Sequence, residues 1–201
     1  MLRTEQAAAT RRQILRAARE LFTRQGYADT TVAAVAARAR VSVDTIYASV
    51  GRKPQLMLAV IDTVLGGGTD PVPAEHRDYV RAIRSAPTAA EKIHVYATAL
   101  GRVLPATAGL QEALRHAAQT DAECAVVWEE LTQRRAANMG LFAADLRATG
   151  AVRPDLTDDV VADIVWSTNS VEYYVLLRAR GWTPEQYARW LEDLWSRTLL
   201  E

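Results

Sequence analysis

The stretch Thr30–Lys53, TTVAAVAARARVSVDTIYASVGRK, decides the fold. Its apolar residues recur at helical spacing: Val32, Val35 and Ala36 share one face, and Ile46 and Val50 share another. Between them Ala39 to Val41 leaves only a few residues for a turn. Ser42 stands where an N-cap belongs, and Asp44 in the first turn complements the helix dipole. The spacing predicts two short helices joined by a tight turn, with a further helix starting after them, which is helix-turn-helix geometry. Such a unit holds its second helix out from the body, where its first residues reach base edges in the major groove. The pattern implies a head that binds double-stranded DNA.

Helical periodicity continues on both sides. A helix is predicted from about Thr10 to Gln25, with Ile14, Ala17, Ala18, Leu21 and Phe22 on one stripe and Gly26 as its stop. A fourth helix runs from Pro54, well placed in a first turn, to Leu65. GGGTDPVP, residues 66–73, ends the head. The reading divides the chain into a head over 1–53, a connecting helix over 54–65, and a second domain over 66–201. In the latter, helices are expected over 74–85, over 88–104 with a stop at Pro105, and over 110–120, 121–149, 157–180 and 183–200. Strand alternation is nearly absent, so the fold class is all-α: a three-helix helix-turn-helix head on a helical bundle.

The formal net charge of the 201 residues is zero, which hides an asymmetry. Residues 1–60 hold ten Arg/Lys against four Asp/Glu, a net of +6, and residues 61–201 carry the balancing −6. A basic head on an acidic body suits a phosphate-binding module joined to a domain with another task. Chance clustering is the plain alternative. Cys124 is the single cysteine, so no internal disulfide is possible. No apolar run reaches the roughly 18 residues of a membrane span. The first residues form no apolar signal core, and a cytoplasmic protein is expected. His76, His94, His116 and Cys124 are scattered without metal-ligand spacing. No nucleophile–base set or phosphate loop appears, so neither an enzyme nor a cofactor is expected.

Residues 10–60 resemble the tetracycline-repressor (TetR) family of bacterial regulators. ILRAARELFTRQGY is similar to the family's first helix and its Gly-aromatic stop, Thr30-Thr31 opens the second helix, and VSVDTIY resembles the recognition helix. Lys53 and Leu56 fall where the family opens its fourth helix. Three departures stand out. Arg40 occupies a turn position where the family usually has Gly, Ser49-Val50 replaces His-Phe, and the exposed positions of 31–39 are mostly Ala. The resemblance implies that Tyr47 and Lys53 clamp backbone phosphates and that Thr31 adds a hydrogen bond. It also implies a small-molecule effector held in the C-terminal domain, whose binding moves two heads apart.

Base reading then falls to Val43, Asp44, Thr45 and Ala48 at the start of the second helix, with the N-cap Ser42 also on the DNA-binding surface. Val43 and Ala48 offer only apolar surface, for which a thymine methyl is the partner, while Asp44 either accepts from a cytosine amino group or serves the helix dipole. Arg40 is a phosphate contact or a solvated charge, and Tyr47 a phosphate contact or a half-buried core residue. One head binds weakly, so a homodimer on a palindrome is expected. Its interface is read from Tyr187, Trp190, Leu191, Leu194 and Trp195 on the last helix, with Ile164, Val171 and Tyr174 before it; filling of the monomer's own core is the alternative. Trp166, Asn169 and Tyr173 share one helix face and, with Tyr96 and Trp128, are candidates either to line a pocket for an effector or to pack the core. The function read from all this is a repressor released from its operator by an effector; a helix-turn-helix activator or a ligand-independent regulator is the alternative.

Overall fold

The computed structural model describes residues 2–68, 70 and 72–201, with side chains from Thr4 onward. Thr69 and Pro71, in the segment expected to end the head, lie outside the described residues. Among the described residues there are ten α-helices and one short 3-10 turn, so the chain is all-α as its periodicity implied. The chain forms two compact units, one of residues 1–72 with 109–131, the other of 73–108 with 132–201.

The first unit holds α1 (Leu2–Gln25), α2 (Val32–Ala39), α3 (Val43–Ser49) and α4 (Lys53–Leu65). α1 starts well before Thr10, because Glu5, Gln6 and Ala7–Ala9 are good helix formers that need no packing. It stops at Gly26, whose φ of 81° only glycine adopts freely. Thr31 caps α2 by accepting from Ala34 N at 3.0 Å, and Ser42 caps α3 by accepting from Thr45 N at 3.1 Å. Ile14, Ala18, Phe22, Val35, Ile46, Leu56 and Ile61 are buried in one core, to which Leu110, Leu114, Cys124 and Val127 also belong. This core fixes the angle at which α2 presents α3.

The second unit holds a 3-10 turn (Ala74–His76), α5 (Asp78–Ser85), α8 (Asp158–Thr168), α9 (Val171–Ala179) and α10 (Pro184–Leu199). α6 (Ala89–Ala117) and α7 (Ala122–Arg147) supply residues to both units. Two helix boundaries differ from expectation. The stop at Pro105 does not occur: α6 runs through it as one helix. Pro105 lies on the exposed face, where water can serve the carbonyl its missing N–H leaves, and Leu100, Leu104, Ala108 and Leu110 continue the buried stripe across it. Burial on both sides outweighs a local cost of about 3 kcal/mol. Gly101, one turn earlier, lets α6 lie close to α10: a Cβ there would stand 3.0 Å from that of Ala188 and 3.2 Å from the Pro184 carbonyl oxygen.

The helix expected over 157–180 is broken at Asn169–Ser170. Ser170 turns extended and caps α9, accepting from Tyr173 N at 3.1 Å, while Thr168 Oγ1 bonds back to the Ile164 carbonyl at 2.6 Å. A run of Ser, Thr and Asn offers the backbone alternatives to its own helical bonds, and here it takes them. A capping box between Thr183 and Gln186 starts α10 cleanly.

Candidate nucleic-acid interface and buried polar centre

The exposed start of α3 is built from its cap. Ser42 Oγ holds both Thr45 N and, at 2.8 Å, Thr45 Oγ1, so the hydroxyls of 42 and 45 form one fixed pair. Asp44 and Ala48 are exposed, and Tyr47 keeps about half its surface, at 49%. Ile46 and Val50, on the opposite side, take the packing. Val43 is partly buried against the same core, which leaves it a narrower apolar edge than its sequence position suggested. At the far end of the helix the Arg11 guanidinium donates to the Ser49 carbonyl, a cation on a helix C-terminus.

Arg40 takes the left-handed conformation, φ 54° and ψ 43°, and is the one non-glycine residue with positive φ among those described. Its N–H returns to the Ala37 carbonyl and the Val41 N–H to that of Ala36, closing α2 as a glycine would. The turn is therefore unaltered by the departure from glycine, and the strain sits in the backbone of Arg40. Its side chain is exposed.

Lys53 is held rather than loose. Its Nζ stands 4.2 Å from the centroid of the Tyr27 ring and donates to the Ala28 carbonyl at 3.2 Å. Burial lowers its pKa, with Cys124, Asp121 and Asp29 pulling the other way. Tyr27 in turn pairs its hydroxyl with Cys124 Sγ at 3.1 Å, and burial pushes both the phenol and the thiol above their ordinary values. Tyr47, Lys53 and Arg52 line one cleft of about 710 Å³ within the first unit, whose walls also include Asp121 and Glu123. Glu123 ion-pairs with Arg52, and Asp121 Oδ1 caps α7 through the N–H groups of Glu123 and Cys124. Tyr27 and Arg52 were not singled out as site residues from the sequence; for Tyr27 the available signal was its place directly after the Gly26 stop.

The residues expected to line a pocket separate. Tyr96, Trp166 and Asn169 come together: Asn169 Nδ2 donates to Tyr96 Oη at 2.9 Å and approaches Met139 Sδ at 3.0 Å. Arg135 joins them, its Nη2 donating to Asn169 Oδ1 at 2.6 Å and to the Trp166 carbonyl at 2.9 Å. Tyr173 instead accepts from Trp190 Nε1 at 2.7 Å, and Trp128 packs on the core of the first unit. Arg135 was missed in the sequence, although it lies one turn from both Leu131 and Met139, which are buried.

The interface residues separate as well. Val171, Tyr174, Tyr187, Leu191 and Trp195 are buried inside the chain, which leaves them no surface to offer another. Tyr187 Oη donates to the Thr168 carbonyl at 2.9 Å and Trp195 Nε1 to Thr168 Oγ1 at 2.8 Å, so both close the chain's own interior. Ile164, Trp190 and Leu194 keep partial exposure. The stripe on α10 is thus broad because it packs inward on several sides, a distinction that periodicity alone does not make.

Residues 14–60 match the family model described as bacterial regulatory proteins, tetR family. Among solved structures, a transcriptional regulator from Saccharomonospora viridis in complex with choline is similar over 96% of this chain and 99% of its own, at 17% identity and a TM-score of 0.72. A TetR-family regulator from Rhodococcus sp. is similar over 92% and 96%, at 18% identity and 0.68. The regulator FadR from Bacillus subtilis, in complex with stearoyl-CoA, is similar over 91% and 96%, at 18% identity and 0.70. No curated protein matches the chain. The head thus matches the TetR-family model, and the chain as a whole shares the fold of these solved regulators. Among the described residues no helix is long and apolar enough to cross a membrane, and no three metal-ligating side chains cluster.

Proposed function

We propose that this protein is a homodimeric transcriptional repressor that leaves a palindromic operator when the second unit takes up a small organic effector. The observation that carries the DNA reading is the pairing of a half-exposed Tyr47 with a tethered Lys53 on one cleft beside the exposed start of α3. A phenol and an ammonium placed there position a strand, and Ser42, Asp44, Thr45 and Ala48 meet the bases. Thr31 and Arg40 flank this surface, both exposed. The effector reading is supported by the polar centre around Asn169, where the Trp166 indole N–H is buried without a partner among the described residues.

A dimer is supported by apolar side chains left on the surface of the second unit. Val160 is 43% exposed and Leu176 62%, and Ile164, Trp190 and Leu194 are part-exposed on the same three helices. These residues are the proposed centre of the interface, and the buried aromatics of α10 support them from beneath. A gel shift on the DNA upstream of the protein's own gene, with and without cell extract, tests the whole reading. A shifted band abolished by the extract is the expected result. A band that the extract leaves unchanged points to ligand-independent control, and absence of any band refutes the DNA reading.

A further inference from the structure

We infer that the buried polar centre of the second unit is a recognition site for organic carboxylates, with the Arg135 guanidinium as the group that holds the anion. The inference rests on the reading that this unit senses a small molecule and gives that molecule its chemistry. The unit holds one buried cation, Lys92, and one part-buried cation, Arg135, and they are treated differently. Lys92, nearly fully buried, is matched by Asp145 at 2.9 Å and by the carbonyls of Ile83 and Arg84. Arg135 bonds only to neutral acceptors, the Trp166 carbonyl and Asn169 Oδ1, and both bonds leave from Nη2.

Desolvation lowers the pKa of Arg135, and the carboxylate of Glu172 acts on it through space rather than through a hydrogen bond. The face of Trp166, 5.5 Å away, supplies a cation–π contact, which offsets part of the lost hydration and none of the net charge. A guanidinium has five N–H donors in a planar fork that matches a carboxylate two bonds at a time. Here Nε and Nη1 meet no acceptor among the described residues. A second donor waits nearby, because the indole N–H of Trp166 is buried without a partner. A buried donor without a partner beside a part-buried cation that no carboxylate hydrogen-bonds is an arrangement that an anion completes.

The surroundings set the rest of the ligand. Tyr96 lies edge-on to Phe142 at 5.0 Å and stacks on Trp195 at 5.6 Å, so the polar centre is bordered by packed aromatic rings. One positive charge without a hydrogen-bonded carboxylate, bordered by aromatic rings, fits a singly charged head on an apolar body, and a phosphate would bring more charge than this site answers.

The test titrates the full chain with benzoate, phenylacetate and octanoate, and with benzamide, phenylacetamide and octanamide as uncharged counterparts. Tryptophan fluorescence and thermal shift read the binding. At least one acid should saturate with a Kd tenfold or more below that of its amide. Arg135→Lys should weaken it about tenfold, and Arg135→Met should abolish it while lowering the Tm of the unliganded protein, because Asn169 Oδ1 loses its donor. Trp166→Phe, which removes the N–H and keeps the ring, should weaken it less. Should Arg135→Met fail to fold, the Lys and Phe variants still decide. Binding of amides as tight as that of acids, no binding by any acid, or unchanged binding by the Arg135 variants overturns the inference. Operator occupancy is measured separately: acid binding that leaves it unchanged upholds the site and refutes release by that ligand.

Discussion

Arg40→Gly separates the two things that Arg40 does. At φ 54° and ψ 43° its Cβ crowds its own backbone, which costs about 1–2 kcal/mol for a residue other than glycine. Glycine removes that strain, but its greater freedom in the unfolded chain takes back about 0.4–1 kcal/mol. The two bonds that close the turn, to the carbonyls of Ala36 and Ala37, belong to the backbone and survive the change. The net expectation is a gain on the order of 0.5–1 kcal/mol. For a chain of this size about 2–4 °C accompanies each kcal/mol, so the Tm should rise by roughly 1–4 °C. If the exposed guanidinium also meets a DNA phosphate, the same variant should bind operator more weakly, and its plot of log K against log salt should flatten by about 0.9. Calorimetry and anisotropy titrations at four salt concentrations read both effects. A Tm that falls refutes the strain argument, and an unchanged salt slope makes Arg40 a solvated charge with no DNA contact.

Lys53→Met should weaken binding to all DNA sequences alike and flatten the salt slope by about one unit; loss confined to one base position would mean Lys53 reads rather than clamps. Trp190→Glu puts a charge on the part-exposed edge of α10 and should yield monomers in sedimentation, with a loss on the order of 2 kcal/mol or more in association. A folded variant that stays dimeric places the interface elsewhere. Burial raises the pKa of both Tyr27 and Cys124, so the folded state keeps protons that the unfolded chain releases. Their contribution is whole below the ordinary thiol value of 9.0 and declines as pH rises beyond it. Cys124→Ala should therefore move the start of alkaline destabilisation up toward the tyrosine range, and an unchanged Tm–pH curve would refute this.

The head was legible because its signals are local and agree with one another. Ser42 caps where its sequence position said, and Ile46 packs where its spacing said. Even the Arg40 turn keeps the backbone that glycine would have adopted. The second unit was legible in its helix content and not in the direction its side chains take. Tyr187, Leu191 and Trp195 make one apolar stripe whether they face their own chain or another, and only the partners of Thr168 decide between the two. Pro105 reads as a stop because its cost is local, while the burial that overrides it comes from residues distant in sequence. Arg135 gave no signal because an arginine on a long helix reads as a surface charge until the opposite wall, Trp166 and Asn169, is known.

The tether on Lys53 bears on the timing of recognition. A free lysine side chain carries about 2 kcal/mol of rotamer entropy, which a phosphate contact must normally quench on arrival. Here the Tyr27 ring and the Ala28 carbonyl have largely quenched it in the unbound head, and an ammonium with three donors can give one to Ala28 and still offer two to a phosphate. On the proposed reading a DNA strand would meet a charge already aimed, and little of that contact's energy would be lost to ordering Lys53 after encounter.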